Sequence, residues 1–141
     1  MTLILLDTNV VSELMRPRPE PRVSDWAAAQ PLATLAVAAV SVMEVRFGIA
    51  VLPAGRKRDE LDSKLRQFLA QGFAGRVLPL DAAAANACAD IRALRKRAGR
   101  PIATEDAMIA GIARAHGATM ATRDIGGFAG CGLVLVNPWQ A

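Results

Sequence analysis

Apolar positions along this chain come in two rhythms, short unbroken runs and longer stretches at helical spacing. Residues 3–6, Leu-Ile-Leu-Leu, form an unbroken run that stops at Asp7-Thr8-Asn9. Such a run bounded by a turn signal reads as a strand buried on both faces, the form a parallel-sheet strand takes. Residues 10–15 read as a short helix ended by Arg16-Pro17-Arg18-Pro19, and 23–30 as a second helix with Trp26 turned inward. Residues 34–40 are an Ala/Val/Leu strand. Ser41 opens a helix reaching roughly residue 51, where Pro53-Ala54-Gly55 breaks it. Leu61, Leu65, Phe68 and Leu69 then recur at three- and four-residue spacing, the buried stripe of a long amphipathic helix that Gly72 and Gly75 end. Val77-Leu78 begins a third strand, and Asp81 caps a helix whose Ala84, Cys88, Ile91 and Arg95 share one face. Pro101 starts the next helix, which runs to His116 and stops at Gly117; residues 118–121 and 133–136 supply two more strands. Strand and helix alternate without a repeat, linker or low-complexity segment. One α/β domain over residues 1–141 is expected, a parallel sheet flanked by helices.

Composition sharpens this picture in three ways. A chain of 141 residues can bury about two-thirds of its unfolded surface without disulfides or a structural metal. The 52% hydrophobic fraction is swollen by alanine while aromatics are scarce and tyrosine is absent, which favours helices packed closely on a sheet over an all-β sandwich. Cys88 and Cys131 have no CxxC spacing and no histidine partner, so they read as small buried thiols in a reducing compartment. The apolar start ends at Asp7, too early for a signal peptide or membrane span, and a cytoplasmic protein is expected.

Charge changes the functional expectation most. The net charge is +4, and fourteen of the seventeen cations are arginine, the residue suited to bidentate phosphate contacts. Arginines cluster at Arg16, Arg18 and Arg22, at Arg56 and Arg58 beside Lys57, and from Arg92 to Arg100. A basic surface points to a polyanionic partner.

Four acids stand where strands end or helices begin. Asp7 closes the first strand, at the sheet edge where open α/β folds place ligands, although it or Thr8 could simply cap the helix that follows. Glu44 lies in Ser41-Val42-Met43-Glu44, which matches a capping box with Ser41 as N-cap and Glu44 at N3. Asp106 sits in the first turns of its helix, where the dipole favours an acid, yet it shares the apolar stripe of Ile109, Ala110 and Ala113. Glu105 turns about 100° away, to solvent. Asp124 follows the strand 118–121, where Asp-Ile-Gly-Gly could be only a turn. Carboxylates converging on one sheet edge would repel one another unless hard cations lay between them, and Mg²⁺ or Mn²⁺ suits all-oxygen sites.

Other chemistries find little support. The lone histidine, His116, reads as a helix C-cap, which rules out a two-histidine ribonuclease or a histidine-rich zinc site. No GxSxG or GxxxxGK[ST] occurs, and the glycines at 126, 127, 130 and 132 precede a strand instead of opening a helix.

Taken in order, Leu5-Leu6-Asp7-Thr8-Asn9, Ser41-x-x-Glu44, Asp106-Ala-x-Ile-Ala110 and Ala121-Thr122-Arg123-Asp124 resemble PIN-domain ribonucleases. Asp7-Thr8-Asn9-Val10-Val11-Ser12-Glu13-Leu14, Glu44-Val45-Arg46-Phe47-Gly48-Ile49, Leu52-Pro53-x-Gly55-Arg56 and the ending Val136-Asn137-Pro138-Trp139 are similar to VapC-type toxins of type II toxin–antitoxin pairs, in the FitB-like branch. The resemblance spans essentially the whole chain. One departure is Asp124, where members of that branch often carry Asn. The resemblance implies a five-stranded parallel sheet with helices on both faces, a homodimer and an antitoxin partner. It also implies Mg²⁺- or Mn²⁺-dependent endonucleolytic cleavage of RNA. Asp7, Glu44, Asp106 and Asp124 would be the catalytic and metal-holding acids, with Asn9 and Thr122 orienting them. A non-catalytic PIN-like module binding RNA or protein is the rival reading. A haloacid-dehalogenase-type phosphotransferase fits less well, because Asn9 stands where that class expects a second acid and the lysines, Lys57, Lys64 and Lys96, all fall on apparent surface helices.

Overall fold

The computed structural model describes residues 2–141, and within them the alternation becomes a five-stranded sheet with every pairing parallel. The strands are β1 (Ile4–Leu6), β2 (Leu35–Ala38), β3 (Val77–Leu78), β4 (Thr119–Ala121) and β5 (Leu135–Val136), in spatial order β3-β2-β1-β4-β5. The helices are α1 (Thr8–Leu14), α2 (Pro21–Ala29), α3 (Ala39–Ala50), α4 (Arg56–Gly72), α5 (Ala82–Arg97), α6 (Thr104–Ala115) and α7 (Ile125–Phe128). Short 3₁₀ turns at Leu32–Thr34 and Pro138–Gln140 were not legible as elements in the sequence.

Alternate strand residues serve two separate cores, as the period of two requires. Leu5, Ala36, Ala38 and Met120 pack with Ala84 and Ile91 of α5 and with Ile109 and Ile112 of α6. Leu6, Leu35, Val37 and Ala121 turn the other way, onto α1, α2, α3 and α4 through Val10, Val23, Ile49 and Leu65. Helices therefore cover both faces, which is why the strands read as continuous apolar runs. Alanine and glycine allow close helix approach: a Cβ on Gly111 of α6 would come within 2.6 Å of the Ala84 carbonyl oxygen in α5. Cys88 and Cys131 are buried and unbridged. No helix among the described residues is long and apolar enough to cross a membrane.

Several boundaries differ from the sequence expectation: α2, β2 and β5 shift or shorten by one or two residues, the short helix α7 forms where only a turn was expected, and three helix starts move. Helix α1 starts at Thr8 with Asp7 as its N-cap, two residues early. Helix α3 starts at Ala39 behind an Ala38 cap that makes no side-chain bond, so the Ser41/Glu44 capping box does not form. Ser41 is instead fully buried inside the helix, and its hydroxyl meets Thr8 from the neighbouring element. Helix α6 starts at Thr104, leaving Pro101 outside, and the Arg100 carbonyl before it accepts from Arg95 Nε at 2.6 Å. Asp81 and His116 take the N-cap and C-cap positions expected of them.

Candidate active site

Strand order reverses between β1 and β4, and ligands of open α/β folds bind outside the carboxyl ends of strands at such a point. Asp7 stands at the end of β1, its backbone N–H donating to the Ala121 carbonyl at 2.9 Å. Its side chain is 5% exposed, and both oxygens are occupied. Oδ1 accepts from the Thr8 N–H at 2.8 Å, and Oδ2 accepts from the Thr122 hydroxyl at 2.8 Å. Thr122, fully buried past the end of β4, accepts in turn from the Asp124 N–H at 3.0 Å. Asp124 is exposed and caps the short helix α7, its Oδ1 accepting from the Gly127 N–H at 2.9 Å. The cap uses one oxygen and leaves the other free.

Glu44 reaches the same edge from α3. Its Oε1 accepts from the Thr8 hydroxyl at 2.8 Å. Thr8 Oγ1 also lies 3.0 Å from Ser41 Oγ, and since a hydroxyl has one proton to give, Ser41 acts as donor in that pair. Thr8 thus ties the Glu44 carboxylate to the residue beside Asp7. The sequence reading treated Thr8 only as a cap, and its position between Asp7 and Asn9 was the available signal. The Thr122 hydroxyl bonds Asp7, whereas no hydrogen bond joins Asn9 to any of the four acids. The Asn9 Oδ1 atom is buried without a partner.

Asp106 occupies the first turn of α6, half-buried, while Glu105 beside it is exposed. Burial pushes the Asp106 carboxyl above its ordinary value, and repulsion from Asp7, Glu44, Asp124 and Glu105 pushes it further. Asp7 is raised in the same way, by burial first and also by Glu44 and Asp124, against the lowering effect of its bonds from Thr122 and Thr8. Asp7 and Asp106 are thus each raised in part by acids carried on other elements.

Arg95 was not foreseen as part of this edge. It is buried at the end of α5 and meets no carboxylate, donating through Nη1 to the carbonyls of Gly127 at 2.8 Å and Ala129 at 2.9 Å. Together with its bond to Arg100 it braces both the approach to Asp106 and the α7 turn that Asp124 caps.

The donor set fits a hard divalent cation. It offers only carboxylate and hydroxyl oxygens and brings together acids that form no ion pair among the described residues, while the Asn9 amide oxygen, next but one to Asp7 in sequence, is buried without a partner. Among the described residues no three acidic, histidine or cysteine side chains already form a closed metal-holding group. Magnesium does not require one, because it keeps several waters and is commonly held by one or two carboxylates together with substrate phosphate.

A family model for the PIN domain matches residues 4–129. The chain belongs to the PIN-domain family. Within it, the chain is 46% identical to a plasmid stability protein of Pseudomonas syringae, over 99% of this chain and all of that one. It is 43% identical to a VapC ribonuclease of Sinorhizobium fredii and 42% identical to the toxin FitB of Neisseria gonorrhoeae, each over 98% of this chain and 99% of the other. A crystal structure of FitAcB from Neisseria gonorrhoeae superposes with a TM-score of 0.91 at 42% identity, covering 99% of this chain and all of that one. The VapC/FitB branch expected from the motifs is thus the right one, and the PIN sheet has the expected five strands.

The raised carboxyls of this PIN domain make a stability prediction. A group whose folded pKa exceeds its unfolded value favours folding at low pH, and that contribution is lost as pH rises through the folded value. Without metal, wild type should lose stability as pH climbs from below the ordinary value of 3.8, because Asp7 and Asp106 must ionise beside the other acids. The Asp7→Asn, Asp106→Asn protein should escape that loss. Thermal unfolding in chelator should show the variant more stable than wild type at pH 7, with the gap closing below pH ~4.

Proposed function

We propose that this chain is a metal-dependent endoribonuclease acting as the toxin of a VapBC-type toxin–antitoxin pair. The observation that carries this reading is the convergence of acids from separate elements on the strand-order reversal, where burial first and neighbouring acids second raise Asp7 and Asp106. A cluster so costly when empty fits a site completed by Mg²⁺ or Mn²⁺, with Asp7, Glu44 and Asp106 as ligands and Asp124 as the fourth. When bound, a divalent cation stabilises charge on the phosphate and makes a water nucleophilic near neutral pH. Thr122 holds Asp7, and Thr8 holds Glu44, so that neither acid must reorganise when RNA arrives. Asn9 supplies an oxygen that nothing else in the protein uses.

The excess of arginine supports an RNA substrate, and the relatives include a VapC ribonuclease and the toxin FitB. A toxin that cuts cellular RNA requires an inhibitor, and a protein antitoxin is the proposed partner. Met43, Phe47 and Val51 support protein contact: they follow one edge of α3, next to Glu44, and are 51%, 65% and 64% exposed. Self-association into a homodimer is proposed as well, and light scattering of the purified chain measures it. Location in the cytoplasm is proposed from the free thiols.

Purified protein incubated with tRNA and rRNA should yield discrete internal cuts in Mg²⁺ or Mn²⁺ and none in chelator. Binding without cutting under every metal condition would instead favour a non-catalytic PIN-like module.

A further inference from the structure

Beside the acidic edge lies a cleft of about 470 Å³ whose walls include Arg16, Arg18, Arg123, Trp139, Glu13 and Glu20. We propose that this cleft binds the backbone phosphates of single-stranded RNA flanking the cut bond, a proposal that rests on the nuclease reading above. Its size lies within the ordinary range for ligand sites, about 300–1,000 Å³.

The wall nearest the acids is Arg123, which separates Thr122, bonded to Asp7, from Asp124. Its guanidinium lies over the Trp139 ring, 5.0 Å from the centroid, so a stacking contact holds the cation in place. Trp139 is itself half-buried against the core, and Arg22 donates to its carbonyl at 3.3 Å. Arg123 and Arg18 have no carboxylate within ion-pair distance among the described residues. Their charges are available to a ligand.

The opposite wall is the segment Arg16-Pro17-Arg18-Pro19-Glu20-Pro21, in which every second residue is proline. Proline fixes φ and stiffens the backbone, so the segment that carries Arg16 and Arg18 has little main-chain freedom left to lose on binding. A buried acid anchors this segment. Glu13 is only 8% exposed, its Oε2 accepting from the Glu20 N–H at 3.1 Å, while Arg16 stands 3.4 Å from it. Glu13 is thus spent on holding the arginine segment and does not offset the cleft's charge as a free acid would. Glu20 is the one exposed acid in the wall.

The chemistry of the neighbouring site explains why such a cleft is needed. Four carboxylates repel a polyanion, and in-line attack demands that the phosphate be held still. Fixed arginines on the flanking phosphates supply attraction and registration together, without reading sequence. A planar guanidinium already stacked on Trp139 also presents a face to an unpaired base.

The test uses the Asp7→Asn protein as a non-cleaving parent, a 12-nucleotide single-stranded RNA, and fluorescence anisotropy at several salt concentrations. Adding Arg18→Ala and Arg123→Ala should weaken binding about 10-fold near 0.1 M salt and reduce the log–log salt slope by about 1.4, two phosphates' worth. Arg92→Ala with Lys96→Ala, on α5, should change both far less. In cleaving protein, loss of the Arg18/Arg123 pair should raise KM through lost attraction and lower kcat through lost registration. With Trp26→Phe leaving Trp139 as the only tryptophan, RNA should alter its emission, and Arg123→Ala should alter that response. Parent-like affinity and slope in the Arg18/Arg123 variant, with loss in the α5 variant, would overturn the subsite and leave the nuclease intact. A parent that binds no RNA at all would contradict the subsite and the nuclease reading together.

Discussion

Asp7→Asn should reduce RNA cleavage about 1,000-fold, the upper part of the range for losing a preorganised electrostatic contact, while the metal-free protein stays at least as stable as wild type at neutral pH. Stability survives because asparagine reproduces the local bonds. Its Oδ1 still accepts from the Thr8 N–H, and its Nδ2 can donate to Thr122 Oγ1, which has lone pairs for both that donor and the Asp124 N–H. The substitution also removes a carboxylate that burial and the charges of Glu44 and Asp124 make costly to ionise. Activity fails because the most buried of the four acids loses its charge where a cation must be held. Measuring single-turnover cleavage beside thermal unfolding separates the two effects. Loss of both in parallel would mean that Asp7 serves the fold alone, as a helix cap.

Glu44→Gln is the second large effect, expected at ~100-fold or more in cleavage with folding changed by less than ~1 kcal/mol. A glutamine oxygen still accepts from the Thr8 hydroxyl, so shape and bond persist while one negative charge disappears. The absence of a capping box makes this experiment cleaner, because Glu44 bonds no backbone group at the start of α3. Ser41→Ala should have the complementary profile. Its hydroxyl is fully buried against Thr8 and touches no acid directly, so its loss should cost about 1 kcal/mol with a smaller effect on chemistry. An active, stable Glu44→Gln enzyme would remove Glu44 from the site.

Much of this protein was legible before its structure because the central strands β1 and β4 are short apolar runs with an acid at or just past their ends. Leu3 to Leu6 followed by Asp7, and Ala118 to Ala121 followed by Asp124, fix both the layer and the edge. The period of α6 likewise placed Asp106 inward and Glu105 outward, as the structure has them. What failed depended on contacts between elements. A local pattern made Ser41 and Glu44 a capping pair, but Thr8, thirty-three residues before Ser41, claims both side chains. Pro101 had the right chemistry to begin a helix, yet the helix begins at Thr104 and the Arg100 carbonyl bonds Arg95 from α5. Glu13 and Arg95 were unreadable for the same reason. Each is a buried charge on a helix, and its partners are backbone groups of segments that only the fold brings near.

The most direct measurement of the central claim is thermal unfolding at neutral pH across a titration of Mn²⁺ or Mg²⁺, for wild type and for the Asp7→Asn, Asp106→Asn protein side by side. A ligand bound only by the folded state raises the midpoint with its concentration, by about 2.7 kcal/mol of stability at one hundred times Kd. Wild type should begin below the double variant in chelator and climb past it as metal is added, while the variant stays flat. Equal metal-induced shifts in the two proteins, or none in either, would contradict a metal centre built on these acids.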